Sequence, residues 1–321
     1  MALARSLLVL LAALTPLGTH AQTWPAKPIR FIVPFAPGGG NDILARVVGK
    51  QMTLSLGQPI VVENLPGAGG NIGPAAVARS APDGYTFLVA AHALFATNPH
   101  LYVKLPYDPL KDFDPVGLIG ELPVVVVEHP DVAATTIGEL IGLAKAKPQS
   151  LSYASAGIGT PHHLAAELFN AMTGTTLVHV PYKGGAPAAT DLLAGRVQVM
   201  FAPINNVNAQ VREGKLRLLA TGTAQRLPPL PNMPTVAEAG VPGYRMDNWI
   251  GLAAPAGTPK PIVAAMNAAL ERMLAQPEVR ETLLAHGIEP MTATPERMLA
   301  MIQADLPRWG AIIRGAGIKA D

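Results

Sequence analysis

The sequence has no cysteine, few charged residues and few aromatic residues, and each shortage excludes a class of function. With no cysteine among 321 residues, the chain has no disulfide, no thiol nucleophile, no Cys-based zinc site and no cysteine to carry a lipid. Charged residues make up 14% and the formal net charge is +2, so no strong field attracts nucleic acid or an anionic membrane. The aromatic residues (5%) are scattered, so no base-stacking surface is evident. The hydrophobic content of 49% fits a folded protein of one large domain or two medium ones.

The chain also has no apolar run of the about 20 residues that a membrane span requires. Its N-terminus instead has the pattern of an export signal, because Arg5 precedes an apolar segment from Leu7 to Leu14. The small residue Ala21 stands at the last position of this segment. We therefore predict a signal peptide over residues 1–21 that is cleaved before Gln22. An exported protein without cysteine suits a bacterial periplasm.

Strand-like and helical segments alternate along most of the chain, which predicts an α/β fold with mostly parallel sheets. The predicted strands are Ile29–Phe35, Ile60–Glu63, Thr86–Ala90, Val124–Glu128, Leu151–Ser155, Val178–Val180, Gln198–Ala202 and Leu216–Thr221. The predicted helices between them are Asp42–Leu56, Gly73–Ala81, Thr136–Ala146, Pro161–Thr173 and Pro187–Ala194. The continuous apolar run Val124–Glu128 is typical of the buried centre of a parallel sheet. Three helices are predicted at the end, over Pro259–Gln276, Pro277–His286 and Pro295–Arg314.

Four turns between a strand and a helix share a glycine-rich character. They are Pro37-Gly-Gly-Gly-Asn-Asp42, Pro66-Gly-Ala-Gly-Gly-Asn-Ile-Gly-Pro74, Ser155-Ala-Gly-Ile-Gly-Thr-Pro161 and Tyr182-Lys-Gly-Gly-Ala-Pro187. Glycine lets a ligand approach the backbone closely, and a helix start offers unpaired N–H groups to an anion. In open parallel sheets, ligands bind beyond the carboxyl ends of the strands. If these ends belong to two facing sheets, the four turns form a site for a molecule with two acidic groups.

Other chemistries find weaker support in the sequence. The second turn approaches a dinucleotide-binding fingerprint, but Ile72 stands where the third glycine should be. Ser155 and His163 could belong to a hydrolase triad, although the sequence has no Gly-x-Ser-x-Gly elbow. His162, His163 and Glu167 invite a metal interpretation, but no further ligand follows at a diagnostic spacing. We therefore expect no metal and no cofactor.

The motifs, taken in order, resemble the tripartite tricarboxylate transporter receptors, also called Bug extracytoplasmic solute receptors. The segments that carry the resemblance are Pro34-Phe-Ala-Pro-Gly-Gly-Gly-Asn-Asp42, Glu63-Asn-Leu-Pro-Gly-Ala-Gly-Gly-Asn-Ile-Gly73, Pro82-Asp-Gly-Tyr-Thr86, Tyr182-Lys-Gly-Gly-Ala-Pro187, Pro234-Thr-Val-Ala-Glu-Ala-Gly240 and Ala254-Pro-Ala-Gly-Thr-Pro259. The resemblance extends from about Trp24 to Ile318. It implies a type II periplasmic-binding-protein fold whose two domains close on a ligand in the cleft between them.

The resemblance also implies the domain division and the role. Domain 1 would comprise residues 22–122 and 249–321, domain 2 residues 123–248, and the C-terminal helices would return to domain 1. The protein would capture a small carboxylate as a monomer, without chemistry of its own, and deliver it to the permease subunits of a tripartite tricarboxylate transporter. An exported hydrolase using Ser155 and His163, and a ligand-sensing subunit for a membrane kinase, remain alternatives.

The ligand-binding residues that the resemblance implies come from both domains. Those of domain 1 are Phe35, Ala36, Gly38, Gly39, Gly40, Gly70 and Asn71, and those of domain 2 are Ser155, Gly157, Gly159, Thr160, His163, Lys183 and Gly184. Two positions depart from the family pattern: Ala202 stands where many members have aspartate, and His92 where small hydroxyl residues are common. We expect both to line the far end of the pocket. Loss of the aspartate removes a partner for an ammonium group, which disfavours an amino-acid ligand.

Overall fold

The computed structural model describes residues 24–320. The predicted signal peptide and its cleavage before Gln22 lie outside the described residues and stay predictions. Within residues 24–320, no helix combines the length and the apolar character that crossing a bilayer requires.

The described chain alternates strands and helices, as the sequence predicts. The strands are β1 Ile29–Val33, β2 Ile60–Asn64, β3 Thr86–Ala91, β4 Phe113–Glu121, β5 Val124–Glu128, β6 Ser152–Ser155, β7 Val178–Pro181, β8 Val199–Pro203, β9 Arg217–Thr221, β10 Trp249–Pro255 and β11 Glu289–Pro290. The α-helices are α1 Gly40–Leu56, α2 Ile72–Ala78, α3 Asn98–Leu101, α4 Ile137–Ala146, α5 Pro161–Thr173, α6 Gly185–Leu193, α7 Asn208–Arg212, α8 Lys260–Leu274, α9 Pro277–Ala285 and α10 Pro295–Gly315. A π-helical turn, Ala93–Thr97, precedes α3.

These strands form two sheets. The first has the order β11-β4-β10-β3-β1-β2 and the second the order β7-β6-β8-β5-β9. We call the first sheet with its packed helices α1, α2, α8 and α9 the first lobe, and the second sheet with α4 to α7 the second lobe. The predicted α/β class with two sheets is thereby confirmed.

The sheets are mixed rather than mostly parallel. β1 runs parallel to β2 and β3, and β6 runs parallel to β7 and β8. β10, β11 and β5 instead pair with their neighbours in the antiparallel sense. The apolar run of β5 is fully buried, as expected, but both of its neighbours are antiparallel to it. Burial on both faces makes such a strand apolar, and burial carries no information about strand direction.

The chain passes between the sheets at two adjacent places. Leu122 and Pro123 join β4 to β5, and the segment 222–248 leads from β9 back to β10. The two crossings are hydrogen-bonded to each other, because Leu122 N–H donates to the Asn248 carbonyl (3.1 Å) and Asn248 Nδ2 donates to the Leu122 carbonyl (2.9 Å). The predicted domain boundaries fall at these crossings and stay predictions.

The last helix, α10, packs against both lobes. Its residues Met298 and Ile302 belong to a first-lobe core, whereas Trp309 and Ile313 pack with the core of the second lobe. The helix contacts β4 and the π-helical turn on one side and α5 on the other. The helices α8 and α9 pack with the first sheet, whereas α10 packs with both lobes, and the expected return of the C-terminal helices to the first domain stays a prediction.

Candidate functional site

The glycine turns occupy the carboxyl ends of parallel strands in both lobes. The first and second turns follow β1 and β2, and the third and fourth follow β6 and β7. A further turn, Ile204–Asn206, follows β8, which is parallel to β6. Parallel neighbours end at the same edge of a sheet, so each lobe presents its turns on one edge.

The two edges approach each other. An ideal Cβ on Gly40, the first residue of α1, would lie 3.4 Å from Asn205 Nδ2 of the second lobe. An ideal Cβ on Gly159, in the third turn, would lie 3.0 Å from Leu101 Cδ1 at the end of α3, a helix that lies between β3 and β4 of the first sheet in the chain and packs Leu101 into the second-lobe core. The structure thus brings the first and third turns to the junction between the lobes.

In the first turn, Asp42 takes one of the N–H groups that the sequence suggested for an anion. Its Oδ2 accepts a hydrogen bond from Gly38 N–H (2.9 Å), and its carboxylate also binds Arg46 (2.9 Å) and Asn64 Nδ2 (2.9 Å). Burial alone would raise the pKa of Asp42, but the hydrogen bonds from Arg46, Gly38 and Asn64 hold it below its usual value. The first hydrogen bond of α1 runs from Ile43 N–H to the Gly39 carbonyl, so the N–H groups of the first three helical residues, Gly40 to Asp42, have no acceptor within α1 and are the donors this turn can offer.

The other predicted residues of the first turn are exposed, except Phe35, which is partly buried. Ala36, Gly38 and Gly39 are exposed, and Gly39 N–H lies 3.5 Å from the Ala36 carbonyl. Phe35 is partly buried, and its carbonyl accepts a hydrogen bond from Asn64 Nδ2 (3.0 Å). The side chain of Asn64 therefore fixes the turn from two sides, through Asp42 and through Phe35.

The second turn is built around Gly70, which packs directly beneath Phe35. Gly70 has φ +90°, and an ideal Cβ there would lie 2.9 Å from the Phe35 ring and 3.1 Å from Leu94. The side-chain oxygen of Asn71 accepts hydrogen bonds from Asn98 Nδ2 (2.7 Å) and the Tyr107 hydroxyl (3.1 Å). Asn71 Oδ1 thus holds the turn against the rest of the lobe, and the Phe35–Gly70 contact joins the first two turns.

The third turn is shaped by its own polar side chains. Ser155 is completely buried, and its Oγ accepts from Gly157 N–H (3.1 Å) and lies 2.6 Å from His179 Nε2. The Thr160 hydroxyl donates to the Gly157 carbonyl (2.6 Å), so the residue occupies the N-cap position of α5 without capping the helix through its side chain. The first N–H groups of α5 therefore remain without an acceptor from the cap.

His163 accepts a hydrogen bond from Gly159 N–H at Nδ1 (3.1 Å), which fixes its proton on Nε2. Its ring stacks on His179 (4.1 Å between centroids, 11° between planes), and His179 stacks on Tyr153 (4.9 Å, 14°). Burial, followed by the neighbouring His179, lowers the pKa of His163 to about 4, and burial also lowers the pKa of His179. Both rings are therefore neutral at neutral pH.

These contacts correct two chemical interpretations of the sequence. The proposed Ser155–His163 pair is wrong, because Ser155 bonds to His179 while His163 Nδ1 is occupied by Gly159. The metal interpretation is also not supported, because two of its candidate ligands form hydrogen bonds with other side chains. Glu167 accepts a hydrogen bond from the Tyr153 hydroxyl (2.6 Å), and His162 Nε2 lies 3.0 Å from Asn206 Oδ1. Neither His179 nor Asn206 lies in a glycine turn, so both were missed as candidate site residues.

The fourth turn lies beside the third. Tyr182 N–H donates to the Ser155 carbonyl (2.9 Å), which ties the two turns together. Gly184 has φ +124°, a conformation that side chains rarely adopt, and it directly precedes α6. Lys183 is exposed, so its ammonium group is available at this edge.

His92 and Ala202, the two departures from the family pattern, have interior positions. Ala202 is fully buried in a second-lobe core with Val125 and Met200. His92 is 2% exposed and its ring contacts the edges of Trp249 and Trp309, at 5.7 Å each. Whether the pocket extends to either residue stays a prediction.

The His92 region has one further polar feature. His92, Asp247 and Asp305 bring potential ligand atoms within 4.8 Å of one another. Arg245 and Arg308 already pair with both carboxylates, so the charges there are balanced without a metal ion.

Comparison with known proteins agrees with this geometry. A model of the family described as "Tripartite tricarboxylate transporter family receptor" matches residues 44–318. Protein BugT of Bordetella pertussis is 39% identical over 303 residues, covering 93% of this chain and 92% of its own length. A protein from the tcbD-tcbE intergenic region of Pseudomonas sp. strain P51 is 38% identical over 305 residues, covering 94% and 90%.

Solved structures agree as well. Rpa4515 of R. palustris with adipate superposes with a TM-score of 0.82 at 37% identity, covering 92% of this chain and 99% of that chain. MatC (Rpa3494) from Rhodopseudomonas palustris with bound malate superposes with a TM-score of 0.78 at 35% identity. The match covers 90% of this chain and 100% of that chain. The fold is therefore that of the two-lobe periplasmic binding proteins. The chain belongs to the tripartite tricarboxylate transporter receptor family, whose members are solute receptors and not enzymes.

Proposed function

We propose that this receptor captures a small carboxylate, a di- or tricarboxylate or a related organic acid, between its two lobes. The observation that carries the proposal is the convergence of glycine turns from both sheets at the junction between the lobes. Each turn leads into a helix, whose first N–H groups and positive dipole end favour a negative group. Two carboxylates at opposite ends of one ligand would thus find donors on both lobes.

Recognition by neutral donors explains the sparse charge at the site. Of the described residues in the four turns, Asp42 and Lys183 are the charged ones, and Arg46 already neutralises Asp42. The buried histidines are neutral for the reasons given above. Helix starts and backbone N–H groups therefore supply the attraction, which suits several acids of similar size.

The same site offers little to an ammonium group. Ala202, which stands where many family members have aspartate, has no charge, and the carboxylate of Asp42 is occupied by its own partners. We therefore propose dicarboxylates rather than amino acids as ligands. The adipate and malate in the two R. palustris structures are acids of this kind.

Ligand binding would stabilise the closed arrangement by its higher affinity for that state. We further propose that the chain is exported to the periplasm, acts as a monomer and delivers its ligand to the membrane permease subunits of a tripartite tricarboxylate transporter. The predicted signal peptide supports export, and the family match supports the permease.

A thermal-shift and calorimetric panel tests the function. Purified ligand-free protein is titrated with succinate, malate, adipate and citrate, and with aspartate and glutamate as controls of similar size. A ligand at a hundredfold excess over its Kd adds about 2.7 kcal/mol of stability. Stabilisation by at least one dicarboxylate is expected. Tighter binding of an amino acid than of the matching dicarboxylate overturns the ligand class, and no response to any acid overturns the carboxylate function.

A further inference from the structure

The turn Ile204–Asn206 lies between the lobes and contacts both, although no glycine marks it in the sequence. Ile204 N–H donates to the carbonyl of Pro123 (2.8 Å), so the turn is attached to one of the two crossings. The Ile204 side chain lines an apolar cavity of about 170 Å³ that is bounded by Leu284 and Ile288 from the first lobe and by side chains of the second. The turn thus sits where the lobes meet.

Asn206 links the starts of two helices. Its side-chain oxygen lies 3.0 Å from His162 Nε2, at the first turn of α5. The same oxygen lies where a side chain on Gly185, the first residue of α6, would begin: an ideal Cβ there would be only 2.6 Å away. Burial lowers the pKa of His162 to about 4, so at neutral pH the ring is neutral and its Nε2–H donates to the amide oxygen. Asn206 therefore holds the third and fourth turns at a fixed separation.

Asn205 faces the other lobe. An ideal Cβ on Gly40 would lie 3.4 Å from Asn205 Nδ2, and one on Gly287 would lie 3.3 Å from the Asn205 backbone nitrogen. Both glycines belong to the first lobe, and Gly40 begins α1. The absence of side chains at these two positions lets Asn205 reach between them.

We propose that Asn205 and Asn206 are positioning residues of ligand capture, in which Asn206 assembles the anion-binding surface of the second lobe and Asn205 forms the contact that completes closure. The effects of these residues on ligand binding rest on the proposed carboxylate function. Neither residue needs to touch the ligand. Asn206 acts through His162 and α6, and Asn205 acts through the stability of the closed state.

The substitution Asn206→Asp tests whether Asn206 acts at the anion-binding helix starts or only fills space between them. Aspartate has the same shape and still accepts the His162 hydrogen bond, but it adds a negative charge beside the starts of α5 and α6. That charge competes with the ligand carboxylate for the same helix ends. We expect roughly a tenfold weaker Kd at low salt, and a smaller loss at 0.5 M salt because counterions screen the repulsion. Gln210→Glu, at a partly exposed position of α7, adds the same charge outside the turn and should leave Kd within about twofold.

The substitution Asn206→Ala tests the link without using a ligand. In two-dimensional NMR of the wild-type protein, the His162 ring resonances should report a neutral ring protonated at Nε2. In Asn206→Ala, the His162 ring resonances and the Gly185 amide should both shift, whereas Gln210→Glu should leave them unchanged. Unshifted resonances in the folded variant overturn the positioning role of Asn206, whether or not any carboxylate binds.

The substitution Asn205→Ala tests the contact between the lobes. If the contact of Asn205 with the first lobe stabilises the closed state, its loss should increase the ligand dissociation rate several-fold with little change in the association rate. The second-lobe resonances of His162 and Gly185 should stay in place. An unchanged dissociation rate overturns the closure role of Asn205. If the wild-type protein binds no carboxylate while the Asn206→Ala shifts occur, the proposed function fails and the positioning role of Asn206 stands.

Discussion

The carboxylate of Asp42 accepts a hydrogen bond from the backbone N–H of Gly38 at 2.9 Å, so the first glycine turn already contains an anion of its own. This carboxylate lies in the first turn of α1, where its charge also interacts with the helix dipole. A ligand carboxylate at the same helix start therefore approaches a negative group that Arg46 compensates.

Asp42→Asn should tighten carboxylate binding. Asparagine keeps an acceptor for Gly38 N–H but removes the competing charge, so we expect roughly two- to fivefold tighter binding by calorimetry at low salt. The unfolding free energy should fall by about 1 kcal/mol, because Arg46 loses its ion pair with Asp42 and Asn64 Nδ2 loses an acceptor. Asp108→Asn, which removes an exposed charge paired with Lys111, is the control and should leave Kd unchanged. Weaker binding by Asp42→Asn would show that the carboxylate matters for turn geometry more than for charge.

Gly70→Ala and Gly38→Ala form a matched pair. Both glycines have positive φ, +90° and +82°, so alanine costs about 1–2 kcal/mol at either position. A Cβ on Gly38 meets nothing within 4 Å, whereas one on Gly70 meets Phe35 at 2.9 Å. Urea unfolding should therefore show an additional loss of about 1–3 kcal/mol for Gly70→Ala alone. Equal losses for the two variants would contradict the close packing of Phe35 on Gly70.

His163 should make stability depend on pH below neutrality. Its pKa is lowered from the usual 6.5 to about 4, so between these values the unfolded chain binds more protons than the folded one. The unfolding free energy should therefore fall as pH drops from 6.5 to 4, by at most about 1.4 kcal/mol per pH unit from this residue. Protonation at Nδ1 also removes the acceptor for Gly159 N–H. His163→Gln should show a shallower decline than wild type, and an identical pH slope would rule out a neutral, buried ring.

Glu121 should have the opposite pH dependence. Burial, together with the charge of Asp247, raises its pKa from 4.5 to about 7. The folded state therefore binds more protons than the unfolded one between these values, and the contribution of Glu121 to stability decreases as pH rises through this range. Glu121→Gln resembles the protonated form and should raise the unfolding free energy by about 2 kcal/mol at pH 8, with little effect at pH 4.5. Glu281→Gln, at an exposed position, is the control, and a Glu121→Gln gain equal at both pH values would argue against titration.

Most of the fold was predictable, because its strands are apolar and are separated by glycine and proline. β4 was missed because Asp114, Pro115 and Gly117 interrupt its pattern. The structure accommodates these residues through irregular pairing with β10, whose register shifts twice along the strand. The segment after β8 was also not recognised, since a turn without glycine has no local signature.

The candidate site was predictable only in its backbone. The glycine turns are visible in the sequence because positive φ and close packing require glycine. Side-chain partners depend on tertiary contacts, such as His162 with Asn206, which are 44 positions apart. The tautomer of His163 likewise follows from the hydrogen bond that its Nδ1 accepts from Gly159 N–H, and it cannot be predicted from the sequence alone.

The helix α10 has a proline, Pro307, between the residues that pack on the first lobe and those that pack on the second. Proline removes one backbone hydrogen bond and crowds the preceding turn, which makes this the weakest point of the helix against bending. Because each half is anchored in a different core, rotation of one lobe on the other must flex α10. The C-terminal helix therefore ties the bending of one backbone segment, near Pro307, to any change in the angle between the lobes.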